Sequence, residues 1–110
     1  MKCAIVPFLL LTLACTAGSG ILIRVAALPL SEVSGIEYTG NALWAIEDSG
    51  NKNILYRLSD AGEITAQIAI ACKNKDWEDI TSDTEGNLYI GDFGNNDNDR
   101  DDLAIYKIGH

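Results

Sequence analysis

Four carboxylates stand at or beside predicted β-strands, where they could do chemistry together. Glu37 lies in a strand predicted at 35–38, and Glu78 and Asp79 lie at the start of a strand predicted at 79–82. Asp92 follows a strand predicted at 88–91. Carboxylate oxygens are the hard ligands that Ca²⁺ prefers, and paired carboxylates can also act as general acid and base. These residues are therefore a candidate calcium site. The alternative is that they accept hydrogen bonds from backbone amides of a neighbouring unit.

The most acidic stretch, residues 95–102, offers a second possible source of calcium ligands. An EF-hand loop counted from Asn95 needs glycine at its sixth position and glutamate at its twelfth. The sequence has Arg100 and Tyr106 there. We therefore expect a solvated loop in which Arg100 pairs with a neighbouring aspartate.

Other chemistry-bearing side chains are few. Residues 31–72 and 73–110 have similar sequences, and Trp77 in the second segment has no aromatic counterpart in the first. Trp77 is therefore the candidate for stacking on a ligand from an exposed position. Asp48 and Asp92 stand in equivalent turns, which indicates turn-forming roles. His110 is the only histidine, so a Ser-His-Asp arrangement has no support.

The amino-terminal residues are typical of an export signal. Lys2 precedes an uncharged apolar run over residues 4–14, which is too short for the roughly 20-residue span of a membrane. The run ends at Ala14-Cys15, which resembles a bacterial lipobox with Thr12 in place of the usual leucine. We expect residues 1–14 to be a lipoprotein signal peptide and Cys15 to carry lipid. An ordinary secretory signal and an uncleaved segment remain alternatives.

Charge and cysteine content narrow the function classes. The 110 residues carry a formal net charge of −8, which argues against nucleic acid and anionic membrane surfaces as electrostatic partners. Contact with a membrane is then expected only through a lipid anchor. Cys72 is the one cysteine after Cys15, and its apolar neighbours predict a small buried side chain.

Turn residues recur every 8–12 positions after residue 30, and short β-branched or aromatic runs lie between them. This pattern predicts an all-β fold with a leading strand at 22–27. The further strands are expected at 35–38, 43–47, 54–58, 64–70, 79–82, 88–91 and 103–108.

An internal repeat is the strongest signal in the chain. Ile36 and Ile80 are 44 residues apart, Leu43 and Leu88 are 45 apart, and the motifs that begin at Asp48 and Asp92 are 44 apart. A period near 45 with about four strands per unit is typical of β-propeller blades.

About two blades of four antiparallel strands are therefore expected, forming a partial propeller. Residues 15–30 are interpreted as a tether and leading strand, 31–72 as a first blade, and 73–110 as a second, incomplete blade. The missing blades could be encoded in a neighbouring reading frame.

The strings SGIEYTGNALWAIEDSGN, DWEDITSDTEGNLYIGDFGNN and LAIYKI resemble the start of a bacterial exported six-bladed propeller. The similar groups are the SdiA-regulated and phytase-esterase-like propellers, within the wider NHL-repeat and gluconolactonase-type group. The resemblance covers about residues 30–108. It implies architecture more than activity, because one fold hosts many functions.

The expected function is a binding or scaffold module of the cell envelope without self-contained catalysis. Such a module would be lipid-anchored, periplasmic or secreted, and its partner would be an unknown ligand or envelope protein. The alternative is the remnant of a calcium-dependent hydrolase or lactonase. Calcium is the only cofactor that the sequence suggests.

Overall fold

The computed structural model describes residues 18–109, so the predicted signal peptide, the lipidation site Cys15 and His110 lie outside the described residues. Seven strands follow one another along the chain: β1 (Val33–Thr39), β2 (Ala42–Glu47), β3 (Ile54–Leu58), β4 (Ile64–Ala69), β5 (Trp77–Ser82), β6 (Leu88–Asp92) and β7 (Ala104–Ile108).

The strands form two antiparallel sheets in simple meander order. The first sheet has the order β1-β2-β3-β4, and the second has the order β5-β6-β7. The all-β prediction is confirmed for the described residues, and the seven strands predicted from residue 35 onward agree with the observed ones to within about two residues at each end. The arrangement of these sheets as propeller blades stays a prediction.

The predicted leading strand at 22–27 is not formed. Residues 18–32 belong to no strand, and the side chains of residues 21–25 are largely exposed. The β-branched residues of this stretch suit a strand, but a strand needs a hydrogen-bonded neighbour, and the described structure places none beside it.

The two sheets share a detail of backbone construction that the sequence repeat anticipates. The pairing of β1 with β2 shifts register between Val33 and Gly35, and the pairing of β5 with β6 shifts between Trp77 and Asp79. These shifts are 44 residues apart in the chain. A bulge at the same place in the first strand of each sheet makes the repeat structural as well as sequential.

The main core lies between the sheets. Its fully or nearly buried members are Ile46, Leu55, Trp77, Ile80, Leu88 and Ile90. β1 and β5, the first strands of the two sheets, pack against each other. A Cβ added at Gly35 would lie only 3.0 Å from the backbone nitrogen of Ile80, so glycine permits the close approach of these strands.

A second, smaller cluster covers the opposite face of the first sheet. Ala45, Tyr56 and Leu58 are buried there, and Leu30 packs on them from the segment that precedes β1. The first sheet therefore has one face against the second sheet and the other partly covered by its own amino-terminal segment.

One buried side chain, Asn74, ties the two sheets together. Its Nδ2 donates to the backbone oxygens of Glu47 at 2.8 Å and Asp48 at 3.1 Å, both at the end of β2. Its Oδ1 accepts a hydrogen bond of 3.1 Å from the backbone nitrogen of Trp77 at the start of β5. A single amide thus satisfies backbone groups of both sheets where water has little access.

Within residues 18–109, no helix has the length and apolar character needed to cross a membrane.

Replacement of Asn74 by alanine tests its role as a link between the sheets. Asn74→Ala leaves the buried amide of Trp77 and two carbonyl oxygens without this partner, so we expect a loss of about 2 kcal/mol in the free energy of unfolding. Urea denaturation followed by tryptophan fluorescence measures the change. The matched control is Asn96→Ala, at an exposed asparagine; equal losses in both variants would contradict the assigned role.

Candidate functional site

Three carboxylates meet at one end of the interface between the sheets. Among the described residues, Asp48, Asp76 and Glu78 form a half-buried group whose carboxylate oxygens can all lie within 4.8 Å of one another. Asp48 follows β2, Asp76 immediately precedes β5, and Glu78 lies at the bulge of β5. The group therefore joins both sheets, and we call it the acidic cluster.

Backbone hydrogen bonds hold two members of the acidic cluster in place. The Asp48 amide donates to the Glu32 oxygen at 2.8 Å. The Ser49 amide donates to Asp48 Oδ1 at 2.6 Å. The Asp76 amide donates to Asp92 Oδ1 at 3.0 Å. Because the loops are fixed by these bonds, the carboxylates are held near one another despite their like charge.

The closeness of the carboxylates changes their acidity. Burial, followed by the hydrogen bond and negative charge of Asp48, raises the pKa of Asp76 above its ordinary value. Burial, followed by the charges of Asp76 and Asp48, likewise raises the pKa of Glu78. A cation bound between these carboxylates would relieve their mutual repulsion, as protonation does.

Of the four carboxylates predicted to bind metal, only Glu78 lies in the acidic cluster. Glu37 Oε1 instead accepts a 3.0 Å hydrogen bond from Ser82 Oγ across the sheet interface. Asp79 is exposed, and its Oδ1 accepts a 2.9 Å bond from the Ile80 amide. Neither contact is the expected one to a backbone amide of the neighbouring unit, because Glu37 binds a hydroxyl there and Asp79 binds the next amide of its own strand.

Asp92 is a buried structural carboxylate. Its Oδ1 lies 3.0 Å from Arg100 Nη1, and the side chain is only 1% exposed. Arg100 also donates to the Gly94 oxygen at 2.8 Å and pairs with Asp102 at 3.1 Å. The expected pairing of Arg100 with a neighbouring aspartate is confirmed. The positive charge already beside Asp92 makes this carboxylate a poor cation ligand.

The prediction that Trp77 is exposed for ligand stacking is wrong. Trp77 is 0% exposed and lies in the core between the sheets. It follows the Asn74 turn, which directs it inward, and its large apolar surface stabilises the interface by burial. A ring enclosed in this way offers no face to a ligand.

Cys72 behaves as the small apolar residue that its neighbours predict. It is half-buried and packs against the main core. Burial, and then the negative charge of Asp92, raise the pKa of the Cys72 thiol. The thiol is therefore poorly suited to act as a nucleophile.

The sequence analysis did not predict two members of the acidic cluster. Asp48 was assigned only to a turn, and Asp76 was not singled out. One available signal was the spacing of Asp76 and Glu78, since residues two apart in an extended chain share a face. The contribution of Asp48 depends on how the sheets pack, and no local pattern reports that packing.

Comparisons with protein-family models, with curated proteins and with solved structures found no match to this chain.

The raised pKa of Asp76 predicts a pH-dependent effect of its replacement. A raised native pKa means that stability is greatest below the ordinary value of 3.8 and is lost as the pH rises through the native value. At pH 7 the ionised pair therefore costs stability, and Asp76→Asn should raise the free energy of unfolding. Near pH 3 the wild-type group is protonated, so the gain should largely disappear.

Urea denaturation of wild type and Asp76→Asn at both pH values measures this difference. Asp79→Asn is the matched control, because Asp79 is exposed and lies outside the acidic cluster. A gain that is equal at pH 7 and pH 3 would contradict repulsion between carboxylates as its cause.

Proposed function

We propose that the protein is an exported binding or scaffold module of the cell envelope, built from propeller-type β-blades and without self-contained catalysis. The observation that carries this proposal is the repeated construction of its two sheets. The first strand of each sheet has a bulge at the equivalent position, and each second strand ends in a buried carboxylate, Glu47 or Asp92.

The two buried carboxylates bind the backbone in the same way. Glu47 Oε2 accepts from the amide of Ser31 at 3.1 Å, and Asp92 Oδ1 accepts from the amide of Asp76 at 3.0 Å. Ser31 and Asp76 are 45 residues apart, as are Glu47 and Asp92. A device repeated at the blade period serves the architecture, whereas a catalytic centre needs a constellation that occurs once.

A role in binding is supported by the surface that the described sheets leave open. Phe93, Leu103 and Ile105 are 42%, 49% and 70% exposed on the second sheet, and Ile36 and Tyr38 are 48% and 57% exposed on the first. Apolar surface on two sides of a small protein marks sites of protein–protein contact. An envelope scaffold would present such surfaces to its partner.

Export and lipidation are tested by following the full chain in a bacterial host. We expect the wild type to incorporate a clickable fatty acid and to sediment with membranes, and Cys15→Ala to lose both properties. Cys3→Ala is the matched control, since Cys3 lies inside the predicted signal peptide and should leave labelling unchanged. Unlabelled wild type in the cytosolic fraction would contradict the proposal of a lipid-anchored module.

A second candidate function, cation binding, is favoured by the acidic cluster. Asp48, Asp76 and Glu78 offer three hard oxygen ligands from two sheets, which is the chemistry that Ca²⁺ takes. A bound cation would neutralise the repulsion within the cluster and stabilise the packing of the sheets. The hydrolase alternative would use the same ion, and it requires a calcium-dependent activity that disappears with the cluster.

Calorimetry and thermal unfolding with CaCl₂ test this second candidate. We expect Ca²⁺ to give a heat of binding and to raise the melting temperature. Glu78→Gln should weaken binding by about tenfold, while Asp79→Asn, one residue away and outside the cluster, should bind as wild type does. Absence of both heat and stabilisation at millimolar Ca²⁺ would rule the candidate out.

A further inference from the structure

The amino-terminal segment, residues 21–27 with the sequence ILIRVAA, has strand-forming side chains and no strand to pair with. Leu22 is 98% exposed, and the least exposed of its four large apolar residues, Ile23, is still 73% exposed. Burial of exposed apolar area is favourable, so a surface that covers these residues gains stability. The segment follows Cys15, so it remains in the chain if the signal is cleaved before that residue, as the lipobox resemblance predicts.

A free strand edge stands elsewhere in the same chain. β7 pairs with β6 on one side, and the described residues place no strand on its other side. Its counterpart β3 in the first sheet is paired on both sides, because β4 completes that sheet. The outer edge of β7 therefore presents backbone donors and acceptors in the geometry that an added strand uses.

Apolar surface surrounds this free edge. Leu103 and Ile105 are exposed beside it, and a cleft of about 390 Å³ opens between the sheets next to Ile108. Leu55 and Ile68 of the first sheet line the opposite wall of that cleft. A strand laid along β7 would cover the cleft and the exposed side chains together.

The charges of the segment and the edge are complementary. Arg24 is the only charged residue in positions 18–31. The acidic loop over residues 95–102 leads directly into β7, and among the described residues Asp97, Asp99 and Asp101 have no ion-pair partner. A strand that carries one arginine thus meets an edge flanked by unpaired aspartates.

The fold directs the amino-terminal segment away from β7 of its own chain. Leu30 packs on the face of the first sheet that is opposite the second sheet. The backbone at Ala26 and Ala27 then passes the turn between β3 and β4, so closely that a Cβ at Gly62 would lie 2.8 Å from the Ala27 oxygen. The first sheet therefore stands between the segment and the free edge.

We propose that residues 21–27 of one copy add as a strand to the free edge of β7 in a second copy of this chain. Each copy then has one donor segment and one acceptor edge on different sides of the molecule. Such a heterologous contact repeats from copy to copy and gives either a closed ring or an open chain. The added strand completes the second sheet to four strands, as β4 completes the first.

Two variants separate the donor from the acceptor. Ile23→Pro removes a backbone donor in the segment, where Ile23 is exposed and belongs to no strand, so the fold of the monomer is left intact. Ile105→Lys places a charge on the exposed face of β7, where the wild-type side chain is 70% exposed. Light scattering after size exclusion, with the full chain at about 1 µM to 1 mM, reports the assembled state.

We expect concentration-dependent oligomers of the wild type and monomers of each variant at concentrations at which wild type assembles. An equal mixture of the two variants should form dimers and nothing larger, because Ile105→Lys still donates a segment and Ile23→Pro still offers an edge. The charge reversal Arg24→Glu should weaken assembly by about tenfold, and Asp101→Arg in the same chain should restore part of it.

Two outcomes would overturn the proposal. Wild type that stays monomeric over the whole range excludes pairing between copies, and hydrogen-exchange protection of residues 21–27 in that monomer would indicate pairing within one chain. Oligomers that persist in Ile23→Pro would show that another surface holds the copies together. Folding of both variants is checked by circular dichroism and by the unfolding midpoint, which should match those of the monomeric wild type.

Discussion

The packing of the two sheets depends on one buried amide. Asn74 is 6% exposed and lies in the connection from the first sheet to the second. Its side chain binds backbone groups of Glu47, Asp48 and Trp77, which fixes where β5 begins relative to the end of β2. Because Trp77 is the largest fully buried residue, the position of its backbone sets the packing of the whole interface. The same turn also determines the geometry of the acidic cluster.

The two repeat units have different residues with the same structural role at one position. Glu47 and Asp92 both end the second strand of a sheet, both are buried, and both bind a backbone amide that precedes the first strand of that sheet. The groups that stabilise the two buried carboxylates differ, however. Burial raises the pKa of Glu47, but hydrogen bonds from Tyr56 and Ser31 together outweigh it, so the pKa is lowered overall. Asp92 is instead paired with Arg100. A buried carboxylate needs a partner, and each unit provides one from a different place.

Sequence patterns predicted the strands well because each strand is specified locally. The alternation in residues 54–58 fixes a strand over exactly those positions, and the recurring turn residues separate it from its neighbours. The amino-terminal segment shows the limit of such reasoning. It has three β-branched residues where β3 has one, but pairing requires a partner edge, and no local pattern supplies one. Propensity is a property of the segment, whereas strand formation is a property of the pair.

The candidate site was harder to predict than the fold for the same reason. Asp48 and Asp76 are 28 residues apart and share no motif, so only the packing of the sheets brings them together. Trp77 illustrates the converse error. Because Trp77 has no aromatic counterpart in the first unit, the sequence suggested an exposed role for it. The residue at the equivalent position, Val33, is only half-buried. The larger ring of Trp77 instead fills the space between the sheets.

The overall charge of the chain and its exposed strand edge act in opposite directions. A net charge of −8 makes copies of the chain repel one another, which protects an exposed apolar edge from indiscriminate pairing. That protection is uneven, because the acidic residues concentrate beside β7 while positions 18–31 carry a single positive charge. Two β7 edges that approach each other bring like charges together, whereas a β7 edge that meets an amino-terminal segment brings opposite charges together. The distribution of charge thus disfavours a symmetric edge-to-edge dimer and favours a directional contact, which is the physical distinction between aggregation and specific assembly.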